Sequence, residues 1–590
     1  MWKFTLKRGN EVIHVRKLTC RKHRFNHSFS LILGIQFLTL LFFFQSQAWP
    51  ANKIKIGLLE EPKTLNIWLA TDSWSNKVLN LIYSPLYIRE PETLKLIPWM
   101  AEKAPQYDTH SLSYTIKLRA AKWSDGSELT SEDVAFTGNL IRDFKVPRFY
   151  SNWKFIKKIE IVDKYRVRFT LIEPKAIFLT RTLTTPIVSK KQWETIAEKA
   201  KRSERPLNRL FKSIIKSPKG TGPFALKEWR KGAYLFLTKN EHFFGQGKAI
   251  QGRRLGPYIE GIVFKLYGTA DAAILGLKKG TLDMFWWGVL AGYLSDLQAE
   301  KNIQIFLSEK SALYYLGFNL RKYPFNDINF RHAVATLVNK DFIVKRILQG
   351  YADKMNSIVP PGNVFWSAPD LPEYGKGLAT EARVRQAYKI LSKAGYTWKV
   401  PPINKKGTLV RGKGIFLPNG NPMETITILT PPSDYDPNRA MTGIMTQEWL
   451  RMAGIPTRSK PMPFGALTQQ VNAHHQFDMC VLGYGNLSLD PDYLRNLFHS
   501  SNDRKRGWNA SGYHNSDFDR IADESSRTMD IDKRKALIWE MQRIISRDVP
   551  YLPLYSPKLV EAVRKDKFTG WVKTLGGIGN TWSFCQIKAK

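Results

Sequence analysis

The chain has 590 residues, 43% hydrophobic and 24% charged, which is enough for two or three cores and too apolar for a disordered chain. Lys and Arg number 90 against 51 Asp and Glu, a formal charge of +39, and only three cysteines exclude a disulfide scaffold or a Cys-rich metal framework. The basic residues are scattered, without zinc-finger spacing or an aromatic RNP-type strand, so the charge does not by itself indicate nucleic acid. A solvated basic surface, suited to anionic headgroups or an acidic ligand, is the plainer reading.

The first 27 residues carry eight basic side chains and one acid, followed by an apolar run from Phe29 to Phe44 and a small-x-small site, Ser46-Gln47-Ala48. This order predicts a secretory signal peptide over residues 1–48, cleaved after Ala48. The run is short for a membrane anchor and contains Gln36. Export to the periplasm is expected. Removing eight basic residues and one acid from 90 and 51 leaves the mature chain at +32. Cys480 and Cys585 then remain, read as two separate buried thiols rather than a pair.

Alternation predicts strands at Lys53–Leu59, Ser113–Leu118, Lys158–Ile172 (a hairpin about Asp163-Lys164), Glu260–Leu266, Thr425–Thr430, Phe477–Leu482 and Val549–Tyr555. Helices are expected at Ser75–Leu86, after Thr130, and at Ala270–Lys279, Phe330–Gln349, Glu381–Ala394, Ala440–Ala453, Asp517–Met529 and Asp532–Arg547. Thr130 with Asp133 three residues on has the form of a capping box. Lys399–Asn421, rich in Pro, Gly, Asn and Lys, reads as an exposed loop. Strands and helices mixed along the whole chain indicate an α/β fold.

The residues offer no catalytic signature. There is no H-E-x-x-H, no P-loop and no G-x-S-x-G. His474-His475 is a weak metal candidate, because adjacent side chains diverge. The expectation is a binding protein, not an enzyme, with no cofactor and no metal.

Several motifs carry a resemblance. Glu61-Pro62-Lys63-Thr64-Leu65-Asn66, Tyr114–Phe136, Gly220-Thr221-Gly222-Pro223-Phe224, Pro324–Asn339, Asp490-Pro491-Asp492-Tyr493-Leu494 and Asp519–Pro553 resemble, in order, the motifs of the family 5 extracellular solute-binding proteins of ABC importers. The resemblance implies a periplasmic binding protein type II-like α/β fold, two lobes joined by a hinge, with an extra subdomain on the N-terminal lobe. It divides the chain into domain I at 49–92, 211–313 and 549–590, a domain II insertion at 93–210, and domain III at 314–548. The lobe crossings are expected near Tyr314–Asn319 and Val549–Tyr555, with closure around a ligand.

By the same resemblance the ligand cleft gathers Trp74, Tyr83, Tyr315, Asn319, Tyr484, Gly485, Asn486 and Leu487, the aromatics as flat walls unless they are ordinary core. Tyr484 stands where the family usually has a cleft tryptophan. Leu487 stands where peptide-binding members usually place an Asp for the free ammonium, and leucine cannot replace a charge-assisted bond. Either Asp490 or Asp492 takes over that role, or the ligand is neutral, blocked or acidic at that end. Expected partners are a small-molecule or peptide-like ligand and the permease subunits of an ABC transporter, with membrane contact only through the permease, no nucleic acid, and a monomeric state. The alternative is a basic periplasmic protein that binds envelope surfaces or anionic polymers on the same fold.

Overall fold

The computed structural model describes residues 52–286 and 288–590; the expected signal peptide lies outside them. Two large sheets organise the chain. The first has seven strands in the order Ile303–Ser308, Leu559–Arg564, Met284–Phe285, Lys53–Leu58, Gly261–Leu266, Tyr234–Lys239, Phe224–Arg230. The second has six, in the order Ala352–Lys354, Tyr551–Pro557, Leu313–Phe318, Met479–Tyr484, Ile426–Thr430, Thr457–Pro461. A four-stranded sheet, Gln106–Asp108, Ser113–Lys117, Arg166–Leu171 and Ile156–Asp163, forms the subdomain inserted into the first lobe.

Two central strands of the second sheet show why its middle is covered on both sides. Leu313 and Tyr315 point into one buried cluster while Leu316 and Phe318 point into another; Cys480 and Leu482 alternate with Met479 and Val481 in the same way. Period-two alternation between two apolar faces gives a continuous apolar sequence. In the first lobe one core runs without interruption from the seven-stranded sheet into the inserted subdomain and includes Trp68, Trp99, Trp123, Trp153 and Trp193, and a smaller cluster with Leu277, Phe285 and Ala562 also packs on that sheet. Cys585 lies in that core and Cys480 in the second lobe, both as free thiols.

The capping box forms as read. Thr130 N donates to Asp133 Oδ2 at 2.9 Å, and the helix Ser131–Asp143 follows. Apart from shifts of a few residues at element ends, such as the helix expected over Ser75–Leu86 that runs Ser73–Ile82, two elements differ from expectation. The helix foreseen over Phe330–Gln349 stops at Leu337, because Val338 leaves helical geometry and Asn339 caps a new turn through Phe342 N. The foreseen loop Lys399–Asn421 contains the strand Lys413–Phe416, paired with Thr397–Val400 and anchored by the buried Ile415.

The strand Leu313–Phe318 and the strand Tyr551–Pro557 both belong to the second sheet. The chain therefore changes sheets at residues 309–312 and returns at Lys558, a few residues outside the positions suggested by resemblance. Among the described residues no helix is long and apolar enough to cross a membrane.

Candidate functional site

A cavity of about 610 Å³ opens between the lobes. The first lobe supplies Asn80, Tyr83, Arg89, Arg148 and Arg181, the second Ser488, Leu489 and Asp490, and the C-terminal segment Thr574 to Trp582 closes one side. Two further spaces of about 400 and 350 Å³ share Leu94 with it. Enclosure of this size between two bodies is what a small-solute site requires.

Leu94 sits at the tip of the hairpin Tyr87–Arg89/Leu96–Pro98. Glu90 N donates to Lys95 O and Leu94 N to Glu90 O, which forces Leu94 to φ 56. A branched side chain in the left-handed region is held there only by surrounding structure. Its carbonyl accepts from Arg89 Nη1 at 2.9 Å, so the strained tip fixes an arginine in the cavity wall.

Asp490 ties the lobes. It is 1% exposed and receives Arg534 in a bidentate grip, Nη1 to Oδ2 at 2.7 Å and Nη2 to Oδ1 at 2.8 Å. Thr180 Oγ1, from the first lobe, donates to the same carboxylate. Burial alone would raise the carboxyl's pKa; Arg534, with Arg181 and Thr180, more than offsets this and holds it well below the usual range. The Arg534 guanidinium lies 5.1 Å from the Trp366 ring centroid. With both oxygens engaged, Asp490 has no capacity left for a ligand's ammonium.

The expected site residues divide. Tyr83 borders the cavity but is itself 1% exposed and packed in the first lobe's core. Tyr315 is 1% exposed and stacked between Tyr551 at 4.1 Å and Tyr484 at 5.9 Å, a core role. Leu487 is buried in the same cluster, with its N–H donating to Ser311 O. Asn319 is consumed by the carbonyls of His475 and Phe477. Trp74 packs against Trp286. Gly485 and Asn486 are exposed, and with half-buried Tyr484 they stand just before Ser488 without lining the three cavities. The arginines of the wall were missed. The local signal for Arg181 was a lone charge in the otherwise uncharged stretch Ala176–Ile187.

The two links between sheets carry charge. Lys558 Nζ lies 3.0 Å from Asp353 Oδ1 and 3.7 Å from Glu309 Oε1. Burial first, then the Asp353 carboxylate, pushes the Glu309 pKa up from 4.5 to about 7. The folded value exceeds the unfolded one, so the stability linked to this proton is complete below pH 4.5 and is lost as pH rises through about 7. Urea unfolding midpoints should therefore fall between pH 5 and 8, and Glu309→Gln should flatten part of that slope; an identical slope in the variant removes Glu309 as its source.

The sequence matches the family described as bacterial extracellular solute-binding proteins, family 5 Middle, over residues 95–506. Oligopeptide-binding protein AppA of Bacillus subtilis is 29% identical over 512 residues, covering 85% of this chain and 86% of AppA. Glutathione-binding protein GsiB of Escherichia coli O157:H7 is 24% identical over 536 residues, 89% of this chain and 93% of GsiB. The structure of B. subtilis AppA in complex with a nonapeptide superposes with a TM-score of 0.61 at 25% identity, covering 91% of this chain and 99% of that one. Two covered sheets joined by two links, a solute-sized space between them and a match over most of the chain agree: this protein belongs to the family 5 bacterial extracellular solute-binding proteins.

Proposed function

We propose that this chain captures a small solute, peptide-like or otherwise, in the periplasm and delivers it to the permease of an ABC importer. The observation that carries this reading is the cavity of about 610 Å³ walled by both lobes, with Thr180 of one lobe bonded to Asp490 of the other. Such contacts exist only when the lobes are shut, so ligand and lobe contacts stabilise the same closed state. Relatives named for oligopeptide and glutathione binding support a peptide-like ligand. The lobes would turn about residues 309–312 and Lys558, with 313–557 moving as one body; the sheet memberships support this division. Cleavage after Ala48 and work as a monomer complete the proposal.

The test is small-angle scattering on protein stripped of ligand by unfolding and refolding, then reloaded with the solute identified by mass spectrometry of gently purified material. The reloaded protein should have the smaller radius of gyration. An equal radius at saturation, with the stripped protein verified as ligand-free, defeats closure about these links.

A further inference from the structure

The cavity wall has a charge imbalance that packing does not account for. Arg89, Arg148 and Arg181 all line it. Among the described residues none of the three has a carboxylate oxygen within ion-pair distance, whereas Arg534 beside them is gripped bidentately by Asp490. Arg89 Nη1 and Arg148 Nη1 reach only backbone carbonyls, Leu94 O for the first and Ala70 O and Ile67 O for the second. Arg181 Nη2 makes one long bond to Asp490 O at 3.4 Å, and its Nε is buried without any hydrogen-bond partner. Asn152 Oδ1, on the same wall, is also buried and unpartnered.

The two acids of the wall answer this charge only in part: Asp490 attracts Arg89 and Arg181 through space, but neither arginine makes a hydrogen bond to its carboxylate oxygens. Asp490 is committed to Arg534, Thr180 and Asp492 N. Glu90 Oε2 is folded onto its own loop, accepting from Glu92 N, Thr93 N and Thr93 Oγ1. Burial first, then the neighbouring Arg534 and Arg181 against the pull of Asp490, lowers Arg89 to about 10, so it remains a cation at neutral pH. Half-buried cations that repel one another, with an unpaired donor among them, lack an anion.

Resting on the importer reading above, we propose that this wall is an oxyanion subsite: the transported solute carries a carboxylate or phosphate group seated between Arg89 and Arg181, with Arg148 adding to the field. Arg181 donates to that oxyanion through the part of its guanidinium that faces the cavity, and its buried Nε and the buried Asn152 Oδ1 gain partners when binding turns these side chains toward the solute. The site therefore selects for an acid group, and a free ammonium is not what it reads, consistent with Leu487 and Asp490 both lying in core contacts.

The experiment uses the mature full-length chain and calorimetry with N-acetylated, C-amidated Ala-Glu-Ala and Ala-Gln-Ala, the corresponding phosphoserine and serine peptides, succinate, and glycerol phosphate. Small molecules retained on gentle purification are identified in parallel for the wild type, Arg181→Gln, Arg89→Gln and the surface control Arg543→Gln. At least one acid probe should bind better than its neutral counterpart, the carboxylate and phosphate arms telling the two oxyanions apart. Arg181→Gln and Arg89→Gln should each weaken it by about 30-fold or more, with unchanged circular dichroism and with Arg543→Gln neutral. The retained solute should be acidic. A neutral or cationic retained solute, or equal binding of acid and neutral probes, overturns the subsite while leaving the importer reading intact. No saturable ligand and no compaction in any arm overturns both.

Discussion

Replacing Arg534 with methionine is expected to lower stability by about 3–5 kcal/mol, the cost of leaving a buried charge without its partner. Both side chains of the pair are at most 1% exposed, so water cannot take the place of the guanidinium. The double variant Arg534→Met/Asp490→Leu should recover most of the loss, because it removes the charge along with its partner. Equilibrium urea unfolding measures both. The Asp490 carboxyl titrates below its unfolded value of 3.8, so its contribution is present above about pH 4 and is lost as pH falls through the lower folded value. The gap between wild type and single variant should accordingly narrow in strong acid. A single variant within 1 kcal/mol of the wild type at neutral pH would mean that the pair is not sealed from water.

Gly220→Ala is expected to cost at least about 4 kcal/mol, in the range reached only by backbone clashes, buried charges and large cavities. A Cβ there would stand 1.8 Å from Ile82 O and 2.6 Å from its carbon, and one at Gly222 would stand 2.4 Å from Leu81 O. The backbone cannot retreat, since Gly222 N donates to Ile82 O at 2.8 Å and Asn240 Nδ2 holds Gly222 O at 2.7 Å. This close approach gives the Gly220-Thr221-Gly222 motif its physical reason. It clamps the end of the helix Ser73–Ile82, whose Asn80 and following Tyr83 line the cavity, so ligand affinity should fall along with stability. Gly268→Ala, with open space around it, serves as the control. Equal thermal midpoints for the two variants would show that the helix end is free to shift.

The frame was legible because its signals are local. Alternation gave the strands, and Thr130 with Asp133 marked a helix start that the hydrogen bonds reproduce. The helix after Phe330 was overdrawn because apolar periodicity continues past Asn339, whose side chain nevertheless caps a new turn. The strand Lys413–Phe416 was hidden because Ile415 alone anchors it among Pro, Gly and Lys. The site was legible in outline and not in detail. Position alone could not separate Tyr315, sealed between two rings, from Tyr83, equally buried but bordering the cavity. Arg89, Arg148 and Arg181 come from a hairpin, a short helix and an irregular turn, and no spacing rule joins them before the chain folds.

The order of strands in the seven-stranded sheet bears on biosynthesis. Leu559–Arg564 is inserted between Ile303–Ser308 and Met284–Phe285, and Trp582, Phe584 and Ile587 fill the first lobe's core. That lobe therefore cannot close its sheet until almost the last residue has left the ribosome, whereas residues 313–557 supply every strand of the second sheet from one uninterrupted stretch. Contacts so distant along the chain form late. A nascent chain missing its final 30 residues should hold a protease-resistant second lobe and a cleavable first one. The first lobe's strands from Lys53 onward therefore lack their full sheet for as long as translation lasts, which would suit the periplasmic destination proposed above.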